Sequence, residues 1–203
     1  MPAAEIPRGG ITLDLGGQPL PLRAEEVFGH ACPIEVEIGV GKGLFLLAWA
    51  AARPDIGVIG VERAKKFLDM ASARAERLRL SNVRLVHTTA EDLLFRCLEP
   101  GSVAAVHVHF PDPWPKKKHH KRRFLRPDNV SRVAEVLAPG GLLRVQTDHA
   151  EYAAVVAEVL AGEPALETVD AAEAFEGLPP TNFEVKYGRE GRTFHRFAAR
   201  KSP

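Results

Sequence analysis

The sequence predicts an α/β protein with a mostly parallel sheet and helices on both of its faces. Short apolar runs rich in Val and Ile alternate with longer helical stretches along most of the chain. Clusters of Pro and Gly, such as the one at 139–141, separate the two kinds of segment. Because crossovers between parallel strands are right-handed, repeated strand-helix units leave few other arrangements open.

Each element can be justified in turn. Apolar runs typical of buried strands predict five of them, at 34–40, 56–62, 83–88, 103–110 and 142–147. A segment of helical periodicity follows each strand, at 44–52, 64–80, 91–98, 128–137 and 150–160. After Gly162 the pattern changes, because the runs 166–169 and 193–199 look like strands without a crossover helix between them. These two runs predict an antiparallel addition at one edge of the sheet.

The composition is that of an ordinary globular protein with one core. The chain has 203 residues, of which 45% are hydrophobic and 26% are charged. We expect a single domain over 31–203, preceded by a flexible arm over 1–30, because the first thirty residues are rich in Pro and Gly. The start lacks an apolar leader, and the longest apolar run, 44–52, is far shorter than the ~20 residues of a membrane span. Cys32 and Cys97 lack CxxC spacing, so we expect reduced thiols in a cytoplasmic protein without membrane contact.

The segment FPDPWPKKKHHKRR, at 110–123, combines a carboxylate, an aromatic ring and a dense run of cations. It follows the fourth predicted strand, so Asp112 and Trp114 leave the sheet at its carboxyl edge, where open α/β sheets bind ligands. Three prolines fix their own φ and disfavour helical backbone in the preceding residues, so we expect Asp112 and Trp114 to be held extended. Trp114 could stack on a base or fill the space between loop and sheet.

Positive charge is concentrated in this loop. Positions 116–123 hold six Lys or Arg, two His and no acid, whereas the whole chain has a net charge of +1, so the other 195 residues sum to −5. A mildly acidic body with one cationic patch indicates a polyanionic partner, of which RNA and DNA are the commonest. A solvated charged face and a nuclear-localisation signal are the alternatives, but the latter does not account for the Pro-flanked acid in front of the run.

A second candidate site is the first strand-to-helix turn, EIGVGKG at 37–43, where Gly39 and Gly41 allow close approach of a ligand to the backbone. The spacing fits neither a P-loop nor the full dinucleotide fingerprint, and Glu37 would repel phosphate but could pair with a cationic group. Glu62 ends the second strand, where a carboxylate can accept both hydrogen bonds of a ribose diol; an ordinary strand-end charge is the alternative. Together these features favour a nucleoside without phosphate. S-adenosylmethionine has a ribose diol, an ammonium group and a sulfonium.

At this point the chain resembles a known family, the bacterial tRNA (guanine-N7-)-methyltransferases. The resemblance covers about 35–197 and rests on the blocks EIGVGKG, GVERA, FPDPWPKKKHHKRRF, TDHAEYA and TNFEVKYGREGRTFHRF, in that order. The FPDPWP block is highly specific, whereas the glycine turn alone is not. The resemblance implies a Rossmann-like class I methyltransferase fold with a mostly parallel, seven-stranded sheet and an antiparallel C-terminal edge. It also implies S-adenosylmethionine as methyl donor, S-adenosylhomocysteine as product and a guanine in the variable loop of tRNA as target.

Roles for individual residues follow by motif. Asp112 is implied as the catalytic residue. The donor site is expected to comprise Glu37, Gly39, Gly41, Glu62, Thr89, Ala90 and Asp112. Contacts to RNA are expected from Lys116, Lys118, His119, His120, Lys121, Arg122 and Arg123, with further substrate contacts at Asp148, Thr181, Asn182, Phe183 and Glu184.

Two positions depart from the family pattern. Thr89 stands where the family often has Asp or Asn before Ala90, so an adenine contact there would use the hydroxyl or the backbone. Asn182 replaces the Lys of the usual TKFE block, which removes one phosphate contact and predicts only a modest loss.

The chemistry expected of Asp112 is positioning. Guanine N7 keeps an in-plane lone pair, so it needs no deprotonation, and we interpret Asp112 as an acceptor that orients the purine and stabilises its developing positive charge. A proton-acceptor role is the second interpretation. His107 and His109 alternate on one strand face with metal-ligand spacing, but no third ligand is evident, so no metal is expected.

Two functions of other kinds stay open. One is a non-catalytic RNA-binding module, against which Glu37, Glu62 and the glycines argue. The other is a small-molecule or DNA methyltransferase; the amino-methylating kinds carry an Asn- or Asp-Pro-Pro-aromatic loop at this strand end, and the DPW sequence lacks the second proline. The sequence also leaves open a homodimer.

Overall fold

The computed structural model describes residues 10–202. Its strands are β1 (Thr12–Leu13), β2 (Ile34–Ile38), β3 (Gly57–Val61), β4 (Val83–Val86), β5 (Val103–His109), β6 (Leu137–Thr147), β7 (Leu166–Val169) and β8 (His195–Lys201). They form one sheet in the order β1-β4-β3-β2-β5-β6-β8-β7. Neighbours from β1 to β6 pair in parallel, whereas β8 pairs antiparallel with β6 and β7. The seven predicted strands and the antiparallel C-terminal edge are confirmed, and β1 is an additional, eighth strand.

Helices pack on both faces of this sheet. They are α1 (Ala24–Phe28), α2 (Leu44–Ala52), α3 (Lys65–Arg77), α4 (Ala90–Asp92, continued by a π-helical turn at Leu93–Cys97), α5 (Pro127–Val136), α6 (Ala150–Ala161), α7 (Ala171–Ala174) and α8 (Asn182–Gly188). One buried cluster joins α2 and α3 to inward side chains of β3 and β4, and a second joins α5 and α6 to the opposite face. All five predicted helices are present; α7 and α8 lie in a region where sequence periodicity predicted none.

The strand order reverses between β2 and β5. β3 and β4 lie on one side of this pair and β6 lies on the other, so the loops that follow β2 and β5 leave the sheet side by side at its carboxyl edge. In the register of the pair, Glu37 stands opposite His107. A switch point of this kind is where open α/β sheets form a ligand crevice. The two sequence-predicted sites, the glycine turn and the Pro-flanked loop, therefore lie at adjacent strand ends.

The prediction of a flexible arm over 1–30 is wrong for residues 11–28. The Leu85 N–H donates to the Ile11 carbonyl at 2.8 Å, which extends the sheet beyond β4. Leu13, Leu22 and Phe28 are at most 5% exposed and belong to the main core. The apolar side chains spaced among the prolines and glycines cover the sheet, and their burial outweighs the flexibility that the composition suggests. Residues 1–9 of the predicted arm lie outside the described residues.

Candidate active site

The glycine turn between β2 and α2 is open beside two of its glycines. Gly39, Gly41 and Gly43 have φ values of 77°, 52° and 76°, the region that favours glycine. A Cβ atom at Gly39 or Gly41 would meet no atom within 4 Å, whereas one at Gly43 would lie 3.0 Å from the Cβ of Ala71. Gly39 and Gly41 thus leave the backbone accessible to a ligand, and Gly43 allows α2 to pack closely on α3.

Glu37 lies under this turn and is only 3% exposed. The Oε2 atom of its carboxyl has no hydrogen-bond partner among residues 10–202. Burial raises the pKa of the Glu37 carboxyl well above its ordinary value, and the nearby charge of Glu62 raises it further. A cationic ligand group beside this carboxyl would favour its ionisation and would satisfy the unpartnered oxygen.

Glu62 holds the same turn from the end of β3. Its Oε2 accepts a hydrogen bond from the Gly41 N–H at 2.9 Å, and its Oε1 accepts one from the Ala64 N–H at 2.8 Å. Each carboxylate oxygen has more than one lone pair, so these bonds leave capacity for a diol. Sequence reasoning predicted a ligand contact and missed the second role, which is to fix the conformation of the glycine turn.

The segment after β4 supplies a helix cap. The Thr89 hydroxyl accepts a hydrogen bond from the Asp92 N–H at 3.0 Å and so caps α4, whose first residue is Ala90. The Thr88 hydroxyl donates to the Asp92 carboxylate at 2.7 Å. The hydroxyl proton of Thr89 is not used by the cap, so the expected adenine contact through this group stays a prediction.

Asp112 is exposed on the loop that follows β5. The residues two positions before and after it, Phe110 and Trp114, have φ values of 50° and 42°, which are uncommon for residues other than glycine. The prediction that Trp114 is extended is therefore wrong. Side-chain packing accounts for the difference: Phe110 contacts Phe183 and Phe194 with ring centroids 5.5 and 5.4 Å apart, and Trp114 packs against the basic run.

The basic run forms a 3₁₀ helix, Lys117–Arg122, that folds back on Trp114. The Arg122 guanidinium lies 5.0 Å from the Trp114 ring centroid, and the His119 ring lies 5.7 Å from it. Trp114 therefore packs against two side chains of the loop itself, and its two predicted roles, base stacking and filling the space between loop and sheet, stay predictions. The side chains of the remaining cations are exposed, namely those of Lys116, Lys117, Lys118 and Lys121, with Arg122 exposed around its aromatic contact.

Arg123 does not belong to the exposed surface, and its predicted RNA contact stays a prediction that its burial does not favour. Its side chain is 4% exposed; Nε donates to the Pro113 carbonyl at 2.7 Å, and a terminal nitrogen donates to the Glu151 carboxylate at 3.1 Å. The guanidinium also lies 4.9 Å from the Tyr152 ring centroid. These contacts tie the peptide unit next to Asp112 to α6, so Arg123 positions the loop.

The C-terminal substrate residues are also engaged within the protein. The Asp148 carboxylate accepts a hydrogen bond from Arg192 at 2.7 Å. The Thr181 hydroxyl accepts from the Glu184 N–H at 3.1 Å, and Glu184 accepts from the Thr181 N–H at 2.7 Å, a reciprocal cap at the start of α8. The spacing of Thr181 and Glu184 is the sequence signature of such a cap and could have predicted α8.

Glu184 has two further donors, Gln146 at 3.1 Å and Arg196 at 2.7 Å. Burial acts to raise the pKa of the Glu184 carboxyl, but the hydrogen bonds from the Thr181 N–H, Arg196 and Gln146 outweigh burial and lower it. Thr181 is 4% exposed. The side chains of Thr181 and Glu184 thus hold α8 against the sheet, whereas Phe183 is 42% exposed and Asn182 is partly exposed.

His107 and His109 are buried on the sheet face beneath α2. The His107 Nε2 lies 2.7 Å from a Glu35 carboxylate oxygen, which also accepts from the Trp49 indole N–H at 2.8 Å. Burial lowers the pKa of His107 although the Glu35 carboxylate opposes the shift, and because a carboxylate oxygen accepts, the His107 Nε2 donates this hydrogen bond. Among residues 10–202 no group of three His, Cys, Asp or Glu side chains could hold a metal ion, and no helix is long and apolar enough to cross a membrane.

Comparison with known proteins identifies the class to which the fold belongs. The model of a protein family described as "Putative methyltransferase" matches residues 31–197. A solved structure of the 16S rRNA methyltransferase KamB is 18% identical, with a TM-score of 0.62 over 88% of this chain and 92% of that chain. The fold is therefore that of the Rossmann-like methyltransferases.

Curated relatives define the family within this class. The tRNA (guanine-N(7)-)-methyltransferase of Mycobacterium avium (strain 104) is 43% identical over 82% of this chain and 65% of its own length. That of Nocardia farcinica (strain IFM 10152) is 41% identical over 87% of this chain and 70% of its own length. The chain belongs to the tRNA (guanine-N7-)-methyltransferase family, and it spans just under two thirds of the length of the first of these relatives.

Proposed function

We propose that this protein transfers a methyl group from S-adenosylmethionine to N7 of a guanine in the variable loop of tRNA, and that it acts in the cytoplasm. The observation that carries the proposal is the meeting of two loops at the switch point of the sheet. The loop after β2 offers open glycines above a buried acid, and the adjacent loop after β5 offers an exposed carboxylate followed by a run of cations. A donor and an anionic acceptor would thus be brought to neighbouring strand ends.

The glycine turn fits the donor. Glu62 can accept the ribose diol while its backbone bonds keep the turn in place, and Glu37 can pair with the ammonium or sulfonium of the donor. The Glu37 Oε2, which has no hydrogen-bond partner among residues 10–202, would then be paired with this cationic group. S-adenosylmethionine supplies a methyl group on a positive sulfur, and after transfer the electron pair of the broken C–S bond stays on that sulfur.

Asp112 acts on the acceptor. The N7 lone pair forms the new N–C bond, so the purine becomes positively charged without loss of a proton. An exposed carboxylate at the carboxyl edge can orient the guanine and stabilise that charge as it develops. Arg123 holds the peptide carbonyl of Pro113, one residue beyond Asp112, and so limits the positions that the carboxylate can take.

The exposed cations of the basic run would bind the phosphates of tRNA. Lys116, Lys118, Lys121 and Arg122 lie within ten residues of Asp112 along the chain, and each phosphate contact releases counterions. A plot of the logarithm of the tRNA binding constant against the logarithm of salt concentration has a negative slope. Replacing Lys118 and Lys121 by Gln should reduce the magnitude of this slope by roughly 0.7 to 0.9 per lost contact. Affinity for the donor should stay at the parental value.

Methylation of bulk unmodified tRNA with labelled S-adenosylmethionine tests the proposal. We expect label in the tRNA and strand scission at a single variable-loop guanine after N7-specific cleavage. Label elsewhere, or none with a folded protein that binds the donor, would contradict the assignment. A thermal-shift assay distinguishes a methyltransferase from a non-catalytic RNA-binding module. S-adenosylmethionine should raise the melting temperature of a methyltransferase and NAD should not, whereas neither compound should stabilise the RNA-binding module.

A further inference from the structure

A cavity lies between α7 and the strands β6, β7 and β8. Its volume is about 180 Å³. This volume holds several water molecules but is smaller than the roughly 300 to 1,000 Å³ of sites for drug-sized ligands. β6 is separated from β2 by β5, and none of the lining residues belongs to the glycine turn or to the Asp112 loop. The cavity therefore has room for a small organic molecule, apart from the candidate donor site.

Arg144 is the most buried charged residue of this lining. Its Nε donates a hydrogen bond to the Ala174 carbonyl of α7 at 2.6 Å, whereas its Nη1 is buried and has no hydrogen-bond partner among residues 10–202. Burial lowers the pKa of Arg144, although the charge of Glu35 opposes the shift. Because arginine keeps its charge in proteins, burial of Nη1 without a partner is costly. An anionic group in the cavity would offset this cost.

The remaining charged residues of the lining carry both signs. Arg200 of β8 lines the cavity, and its side chain is exposed. Three exposed carboxylates, those of Asp170, Glu173 and Glu176, complete the charged lining. With two guanidiniums and three carboxylates, the lining has a net charge of −1. The carboxylates would thus repel a multiply charged anion, and a simple cation would leave the Arg144 Nη1 without a partner.

A ligand that carries one group of each sign would pair with both kinds of charge. We propose that this cavity binds a small zwitterion of the free α-amino acid class, with its carboxylate on Arg144 and its ammonium among the exposed carboxylates. Leu142, Val169 and Ala174 line the same cavity, so an aliphatic side chain of the ligand would contact apolar atoms. This site uses none of the residues assigned to the donor or to tRNA, and it goes beyond the proposed methyl transfer.

The charge requirement is tested with L-leucine and two analogues that each lack one charged group, 4-methylpentanoate and 3-methylbutylamine. Isothermal titration of the full chain should show saturable leucine binding with a Kd on the order of 1 mM or below. Each analogue should bind at least roughly tenfold more weakly, because each lacks one charge-assisted hydrogen bond. If leucine does not bind the folded parent, or binds no more tightly than 4-methylpentanoate, the proposal is overturned.

Two variants test the orientation of leucine in the cavity. Arg144→Gln should weaken leucine binding by roughly tenfold or more, because the neutral amide cannot pair with the carboxylate as a cation does. Glu173→Gln changes an exposed residue, so the protein should fold; it should weaken leucine binding about twofold to fivefold and leave 4-methylpentanoate binding unchanged. Glu26→Gln, on α1, is the matched control, since it removes the same charge outside the cavity and should leave both affinities at the parental values.

Competition distinguishes the cavity from the candidate donor site, which would itself hold the amino-acid group of the donor. Leucine affinity should be unchanged at saturating S-adenosylhomocysteine, because the two sites share no residue. Loss of leucine binding on addition of S-adenosylhomocysteine would place leucine in the donor site and overturn the cavity assignment. Parental leucine affinity in the folded Glu173→Gln variant would also overturn it.

Discussion

Among single residues, Asp112 and Arg123 differ in exposure although they belong to one sequence block. Asp112 is exposed at the carboxyl edge, whereas Arg123, counted with the same motif, is buried and bonded to Pro113, Glu151 and the Tyr152 ring. The sequence predicted both residues as functional because they belong to one specific block. It could not separate them, because the burial of Arg123 depends on α6, which comes much later in the chain.

Replacing Asp112 by Asn should lower turnover by a factor on the order of 100 or more, because the amide keeps the shape but loses the charge that stabilises the purine in the transition state. Affinities for tRNA and for S-adenosylmethionine should stay within a few fold of the parent. Single-turnover methylation and equilibrium binding measure these quantities separately. A near-parental single-turnover rate would mean that the negative charge is dispensable.

Replacing Arg123 by Gln should reduce the free energy of unfolding by about 2 kcal/mol, since it breaks buried hydrogen bonds of a charged group. Turnover should fall because the Asp112 loop loses its anchor. The salt slope of tRNA binding should be unchanged. Lys118→Gln is the matched control and should do the reverse, with a flatter salt slope and parental stability in denaturant titrations. A flatter slope for Arg123→Gln would restore this residue as a phosphate contact.

At the scale of elements, the glycine turn brings two acids, Glu37 and Glu62, close enough for their charges to interact. Glu62 fixes the turn through the N–H groups of Gly41 and Ala64, and its charge helps to raise the pKa of Glu37. Burial and the like charge of Glu62 thus favour the protonated form of Glu37, and a nearby cation would favour the ionised form. The order of the two acids in the chain predicted the ligand class. Their mutual repulsion depends on β2 and β3 being neighbours in the sheet.

The Glu37 carboxyl predicts a pH dependence with a definite sign. The folded protein keeps this proton above pH 4.5, where the unfolded chain releases it, so the contribution of Glu37 to stability falls as pH rises toward the raised pKa. Glu37→Gln should remove this part of the slope. It should also weaken donor binding, because the amide cannot ionise to pair with the cation.

Calorimetry can detect the ionisation of Glu37 through the protons released when S-adenosylmethionine binds. Because a cationic ligand favours the charged form of Glu37, binding of S-adenosylmethionine to the parent should release protons within this pH range, and affinity should rise with pH. Titrations in buffers of different ionisation enthalpy measure the released protons. Glu37→Gln should release none at this site, and equal proton release by parent and variant would assign the linkage to another group.

For the whole molecule, residues 11–28 contribute to the core. Ile11, Leu13 and Leu22 are each at most 5% exposed, and β1 extends the sheet beyond β4. Composition alone favoured flexibility because Pro and Gly are frequent there. This segment is ordered because a few of its apolar side chains pack on the sheet. Local composition does not show which surface those side chains cover.

Two leucines in this segment provide a matched test. Leu22 is 1% exposed, so Leu22→Ala should cost about 2 to 5 kcal/mol of unfolding free energy, the range for a buried leucine that leaves a cavity. Leu20 is 41% exposed, and Leu20→Ala should change stability by no more than about 0.5 kcal/mol. Denaturant unfolding measures both. Similar stabilities for the two variants would show that the segment contributes little to the folded state.

The sequence by itself determined the parallel architecture, the seven principal strands, the two loops of the site and the family, because hydrophobic periodicity and contiguous motifs are local properties of the chain. Only the tertiary structure decided which motif residues are accessible. Arg123 and Glu184 are bound by side chains far away in the chain, whereas Phe183 stays exposed beside Phe110. The extra strand β1 and the raised pKa of Glu37 also depend on tertiary contacts, the first on pairing with β4 and the second on burial and the charge of Glu62. Burial and charge coupling depend on which surfaces meet when the chain folds, and residue order along the chain does not encode those contacts locally.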